Sequence, residues 1–457
     1  SFTSSIAPKN LETASTNGAL FVRVFDANGI PLSGANVHIE NNFAVPAINI
    51  DDTTNNNGML QIVDAPPGVN AYEITVTKSG YTSARTYLPG NPSNPKPLKP
   101  HATVAIQQVT QLSFSIDRTS TIEVSSVADT CSAIGNIDFT LSGTRLIGQA
   151  PDVLKYDQNH ITSGVGTKTI SNLEWDTYAV NFNDGVYDLA GSIPLLPLNI
   201  VPNSTQDVKF VMVSKSPNSL LVTVKDGASG LPVSDASVHI TGSGSDETYI
   251  TNRGFLRQTD WSGGSGQDTF TDPSMYLESD GNISDSSPAG EVKLRNILGE
   301  YQISGNLTSS TFDIGSAGNF HSIAWLPASQ PPDTGVNSVR FQIATNNDNA
   351  TWSFLGPDGS GGTYYTTLDS NINAIHNNSR YLRYKVFLST ASTTWTPNIS
   401  DVSVTFNSSC VPPGQVFFTG LSGGNHDVNI SKSGYQDYSA VVDINSAWQS
   451  LEAVLNP

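Results

Sequence analysis

Cysteine, charge and long apolar runs are all scarce in this chain of 457 residues. Its two cysteines, Cys131 and Cys410, exclude a disulfide framework and make a zinc site unlike anything the spacing supports. Both sit among loop-forming residues, which leaves two readings open: separate thiols, or one bridge tying distant segments together. No apolar stretch reaches the roughly 18 residues of a membrane-spanning helix. Residues 1–17 are polar and lack a signal-peptide core, so the expectation is a mature or trimmed ectodomain whose targeting segment is absent. Charged residues make up only 14%, and 22 basic against 40 acidic side chains give a formal charge of -18. Such a surface repels phosphate backbones and argues against nucleic acid as a partner. Catalytic signatures are missing too: there is no His-Glu-x-x-His run, no Gly-x-Ser-x-Gly elbow and no phosphate-binding loop. The seven histidines (His38, His101, His160, His239, His321, His376 and His426) are scattered. The expectation is a protein that is not an enzyme and carries no cofactor, with calcium the one candidate ion.

What the chain does have is Asn, Ser, Thr and Gly between short alternating apolar runs, the composition of β-strands and tight turns. It also repeats itself. Residues 20–39 read LFVRVFDANGIPLSGANVHI, and residues 220–240 read LLVTVKDGASGLPVSDASVHI. In each copy a strand alternates apolar and outward residues, so Leu20, Val22 and Val24 share one face. A turn follows from Asp26 to Gly29 or from Asp226 to Gly230, and Pro31 or Pro232 opens a second strand. His38 and His239 occupy the same outward position in that strand. A later half also recurs: residues 74–81, ITVTKSGY, match residues 428–435, VNISKSGY. The two copies differ in their middle. Ile39 lies 19 residues before Gly58, whereas Ile240 lies 174 residues before the equivalent Gly414. The surplus of 155 residues has the size of a domain, and loop tips accept such insertions.

These patterns divide the chain into an extension at 1–17, a sandwich at 18–114, a second at 115–214, a discontinuous third at 215–253 and 408–457, and an inserted unit at 254–407. Strands of the second sandwich are expected at 136–141, 168–170, 178–182 and 207–213. A proline-rich loop, 88–100, interrupts the end of the first.

The repeat, Asp-x-x-Gly-x-Pro-Leu-x-Gly-Ala-x-Val followed by Val-x-Lys-Ser-Gly-Tyr, resembles the carboxypeptidase regulatory-like family. The resemblance implies small transthyretin-like Greek-key sandwiches that act as spacers and carry no catalytic residues. The tandem arrangement resembles the C-terminal ectodomains of bacterial prepilin-like surface proteins. The inserted unit, with residues 339–343, 380–390 and 395–406, looks like the galactose-binding-like jelly rolls, a group of both carbohydrate binders and structural members. The fold class is therefore expected to be all-β: tandem Greek-key sandwiches with an inserted jelly-roll sandwich. In residues 381–388, Tyr381, Arg383, Lys385 and Phe387 fall on one face and Leu382, Tyr384, Val386 and Leu388 on the other.

Candidate chemistry concentrates in the insert. Trp325, Trp352, Tyr364, Tyr365 and Trp395 all lie there. Exposed rings stack on sugars, and neighbouring amides and carboxylates take the hydroxyls, which makes Trp352, Tyr364, Tyr365, Asn347 and Asp358 the candidate ligand-binding set. The alternative is that the tryptophans fill a sandwich core. Trp261, in a glycine-rich stretch, is expected to pack at the domain junction. Asp268, Asp272 and Asp280 carry the hard oxygen donors that calcium takes, without the spacing of a calcium loop. A solvated acidic loop is the competing account. Lys225 and Asn445 stand at strand ends where an amide cross-link would need an intervening carboxylate, and none is evident. Together these features describe an extracellular or cell-surface stalk that displays the insert to a surface glycan or protein. The alternatives are a carbohydrate-binding accessory region of a secreted enzyme and a pilus subunit associating through edge strands.

Overall fold

In the computed structural model the described residues are 16–242, 244–267, 272–445 and 447–457. The fold is all-β, a series of tandem β-sandwiches with four separate apolar cores.

The first sandwich comprises β1 (Gly18–Phe25), β2 (Asn36–Asn41), β3 (Ile48–Thr53), β4 (Met59–Ala65), β5 (Gly68–Thr77), β6 (Ala84–Arg85), β7 (Ala102–Val104) and β8 (Val109–Ser115). One sheet runs β4-β1-β8, with β1 and β8 parallel; the other runs β3-β2-β5-β6, with β7 on β5. Strict alternation makes this possible. Leu20, Val22 and Val24 are fully buried against Val37, Ile39, Ile74 and Val76 from the facing sheet. Asp26 accepts the backbone N–H groups of Asn28 and Ile30 and so shapes the turn between β1 and β2.

The second sandwich comprises β9 (Ser120–Val127), β10 (Asp138–Gly143), β11 (Leu146–Gly148), β12 (Val153–Leu154), β13 (Asp157–Ile161), β14 (Thr167–Leu173), β15 (Asp176–Phe182), β16 (Tyr187–Ile193), β17 (Leu198–Ile200) and β18 (Thr205–Ser214). Its sheets run β14-β9-β18-β16 and β13-β10-β15-β17, and its first and last strands, β9 and β18, are again parallel.

The third sandwich begins with β19 (Ser219–Asp226), β20 (Ser237–Gly242) and β21 (Ser245–Ile250). Between its halves lie β22 (Gly254–Gln258), β23 (Gly264–Ser265), β24 (Met275–Ser279), β25 (Ile283–Ser286), β26 (Ala289–Leu294), β27 (Asn296–Ile297), β28 (Glu300–Tyr301), β29 (Ser304–Ser309), β30 (Phe312–Leu326), β31 (Val339–Asn346), β32 (Ser370–Asn371), β33 (Ser379–Ser389), β34 (Asn398–Ile399) and β35 (Asp401–Asn407). It is completed by β36 (Gln415–Phe418), β37 (Gly424–Ser431), β38 (Tyr438–Ile444) and β39 (Trp448–Leu455). Its sheets, β36-β19-β39 and β21-β20-β37-β38, repeat the order of the first sandwich, with β19 and β39 parallel.

One glycine shows how closely the three sandwiches agree. Gly58, Gly166 and Gly414 all have φ between +67° and +75°, and an added Cβ would lie 2.5 Å from Val24 O, Ser126 O and Pro232 Cβ respectively. Each gives its carbonyl to the first strand: Val24 N at 2.8 Å, Ser126 N at 2.7 Å and Val224 N at 2.7 Å. A side chain is excluded there by both backbone conformation and close approach. A buried threonine recurs beside it. The Oγ1 atoms of Thr54, Thr162 and Thr251 accept the N–H groups of Ala35, Ile137 and Ala236, satisfying buried donors where the second strand begins.

In the insert, β22-β35-β30-β32 forms one layer, and β23-β24-β29-β33-β31 the other. The long strand β30 serves both: Phe312 and Asp313 pair with β33, and after an irregularity residues 319–326 pair with β35. The alternation expected in β33 holds, with Leu382, Tyr384, Val386 and Leu388 buried. Trp261 requires a correction. Its ring is in the core of the insert, not at the junction, because Nε1–H finds a buried acceptor in the Tyr384 hydroxyl at 3.0 Å. That hydroxyl in turn donates to Gln258 Oε1 at 2.7 Å.

Candidate functional site

Three regions bear on function: the aromatic loop of the insert, the acidic candidates, and the junction where the second sandwich, the third and the insert meet.

The loop between β31 and β32 folds onto the outer face of β31 and β33. Phe341 and Tyr365 exchange both backbone hydrogen bonds at 2.9 Å, and Gln342 Nε2 donates to Gly361 O and Thr363 O. The aromatic rings serve this packing. Trp352 is half-buried with the Arg383 guanidinium 4.1 Å from its ring centre. Tyr364 lies against Phe387 with Arg340 4.9 Å above its ring. Tyr365 is a correction to the sugar-stacking set: its ring is fully buried, and its hydroxyl accepts Asn373 N. Trp325 is likewise a core residue, tilted against Phe341. The polar candidates are also engaged. Asn347 donates to Asn378 O and accepts Arg380 N, while Asp358 accepts Ser360 N and the Thr363 hydroxyl. Those bonds hold the Asp358 carboxyl below the usual carboxylate range, the Thr363 hydroxyl contributing most.

Of the calcium candidates, Asp268 lies outside the described residues. Asp272 accepts the backbone and hydroxyl of Ser274, and Asp280 accepts Asn282 N together with both nitrogens of Asn306. They shape separate turns. Among the described residues no group of three His, Cys, Asp or Glu is arranged to hold a metal ion. His38 and His239 pair across their sheet with Asp51 at 3.0 Å and Asp246 at 2.8 Å, an outward strand role. Lys225 pairs with Glu452 on β39 at 2.6 Å, while Asn445 contacts Gln449 and Asp443, so the cross-link partners are not brought together.

The junction is where the structure concentrates buried chemistry. Cys131 and Cys410 form a disulfide, Cα to Cα 5.3 Å, that joins the turn after β9 to the segment between β35 and β36. Lys209 Nζ donates to Ser409 O, Ser408 Oγ to Asp129 O, and Ser316 bonds Ser409 through their hydroxyls. Gln415 reaches across to Ser192, accepting its N–H at 3.0 Å and donating to its carbonyl at 2.8 Å. Trp448 Nε1 donates to Leu189 O, and Leu221 and Phe417 pack into the core of the second sandwich.

Beside these contacts opens a cleft of about 780 Å³, walled by Val211, Tyr249, Phe255, Leu326 and Phe417 among others. Arg257 donates through Nε and Nη2 to one oxygen of the buried Asp401, at 2.9 and 2.5 Å. Tyr249 is pushed up to about 12 by burial and the neighbouring Glu247. Burial also raises the Asp129 carboxyl, against the backbone N–H groups of Phe255 and Thr130 that it accepts. The arrangement is a packed polar seam; it does not set two carboxylates across a reaction space. Sequence reasoning missed it because its residues come from three separate stretches of chain. The single early sign was the pair of loop cysteines.

No family model matches the chain, and no curated protein matches it. Solved structures similar to it include the Bacillus anthracis TIE protein, at 16% identity over 52% of this chain and 42% of that one, with a TM-score of 0.18. The chain thus spans less than half of that protein. Others are the shaft pilin SpaA from Lactobacillus rhamnosus GG, at 13% identity over 43% of this chain and 98% of that one (TM-score 0.17), and the Streptococcal ancillary pilin, at 8% over 96% and 99% (TM-score 0.18).

Proposed function

We propose that this is a non-enzymatic extracellular protein in which three like sandwiches form a stalk and the insert is held out for recognition. The observation that supports this reading best is the anchoring of the insert. It leaves the third sandwich after β21 and returns before β36, and the disulfide fixes that return point to the second sandwich. A disulfide within the chain also suits an oxidising, extracellular compartment.

Recognition is assigned to the insert's far loops. By register, Ser304 and Ser389 mark the end of β29 and β33 opposite Ser379, which pairs with Gly318 beside Asn407, where the insert joins the stalk. Loops at that end are tied together by Thr390 N to Ile303 O, Tyr301 N to Thr393 O and Ala391 N to Thr334 O. They expose Leu298, Ile303, Val336 and Trp395. Apolar side chains grouped on loops of a rigid scaffold are a recognition feature.

The test is excision. Residues 252–413 are replaced by the short connection that sandwich 1 uses between β3 and β4. The remaining three sandwiches are expected to fold, by circular dichroism and melting, while binding to a panel of glycans and matrix proteins seen with the full chain is lost. Binding undiminished by the excision would contradict the reading.

A further inference from the structure

A second cleft, of about 420 Å³, lies between the first and second sandwiches. The proline-rich loop forms one side. It pairs with the hairpin of β11 and β12 through Leu98 N to Ile147 O and Gln149 N to Lys96 O, both 3.0 Å, and Asn94 Nδ2 also donates to Ile147 O. The charge inside reverses that of the molecule. Arg85, Lys99, Arg145 and Lys155 line it, with Glu174 the one carboxylate among the lining residues, in a chain whose formal charge is -18.

Glu174, itself buried, is fully committed. Arg145 Nη1 takes one oxygen at 2.9 Å and Lys155 takes the other. Arg85 and Lys99 form no ion pair among the described residues. Lys99 Nζ donates to Ser113 O at 2.5 Å. Its ammonium is held below the ordinary lysine range, first by burial and then by the charge of Lys155. Two like charges thus face one space with too little negative charge between them. Ala84, Leu98, Leu146 and Ile147 line the rest of the cleft.

We propose that this cleft binds a single oxyanion, a phosphate, sulfate or carboxylate group, on a small molecule or on an otherwise neutral chain. Arg85 and Lys99 supply the free charge, and the Arg145–Glu174–Lys155 cluster holds the far wall. The cleft's size suits one such group with its carrier ring. The chain's formal charge of -18 disfavours a continuous polyanion. The site stands apart from the insert and does not depend on its proposed role.

Calorimetric titration of the full chain with inorganic phosphate, sulfate and acetate, at constant ionic strength, tests it. Saturable binding of at least one is expected, and the tightest identifies whether phosphate, sulfate or carboxylate is the natural group. The Arg85→Gln/Lys99→Gln variant breaks no ion pair and is expected to weaken that binding about tenfold or more. Lys293→Gln, in the insert, is expected to leave it unchanged. No saturable binding, equal affinity in the double variant, or an equal loss in Lys293→Gln would each overturn the proposal.

Discussion

At the scale of single residues, the fold depends on a few positions where chemistry leaves no alternative. His376 is one. It is buried in the insert, with Nδ1 3.0 Å from Thr345 Oγ1, and burial lowers it from 6.5 to about 4. The unfolded chain therefore binds a proton near pH 6.5 that the folded chain refuses until about pH 4. The stabilisation is fully present above pH 6.5 and is lost as pH falls through that window, by up to about 3 kcal/mol. His101, His160 and His321 are also lowered by burial and act in the same sense. Melting curves between pH 7 and pH 4 should fall steadily, and His376→Gln should fall less steeply by about one proton's worth. An unchanged slope in the variant would show that His376 titrates normally.

Residues of this kind were only partly legible. The alternation of Leu20, Val22 and Val24 fixed their face because a strand has period two. The equivalence of Gly58 and Gly414 followed from the repeat. Gly166 did not, because the turn after β9 has Asp129-Thr130-Cys131-Ser132 where the other copies run from Asp26 to Gly29 and Pro31 or from Asp226 to Gly230 and Pro232, so nothing in composition announces the shared topology. Trp352, Tyr364 and Tyr365 looked alike as a cluster of rings beside polar residues. Their burial depends on how residues 347–369 fold over β33, a long-range contact that local pattern does not encode.

Among elements, the connections carry more than the strands. The proline-rich loop, which interrupts the first sandwich in sequence, is the strut against β11 and β12. The turn after β9 carries the cysteine that reaches Cys410 across 279 residues of chain. Cross-linking so long a loop removes much entropy from the unfolded chain, worth at most about 6 kcal/mol in the loop-closure account. The double variant Cys131→Ser/Cys410→Ser should lower the urea midpoint of the second and third sandwiches, followed by tryptophan fluorescence at Trp448 in their interface. Fluorescence and circular dichroism are both needed, since several sandwiches need not unfold together. An unmoved midpoint would mean that Gln415, Ser192 and the packed Phe417 hold this junction alone.

Across the whole molecule, the sandwiches and the insert meet at junctions that are bonded and not merely adjacent. The first sandwich meets the second through Thr82 N to Asp117 O, Thr119 N to Gly80 O and the proline-rich loop. The second, the third and the insert converge on the disulfide. The sequence showed the repeated halves of the sandwiches but not these interfaces, since each is assembled from residues 35 or more positions apart and small polar contacts leave no periodic trace. The most direct measurement is small-angle X-ray scattering of the full chain in solution. The expected result is one rigid particle whose profile matches that of the structure and does not change when calcium is added. A broad ensemble of separated beads, with the insert moving independently of the stalk, would contradict it.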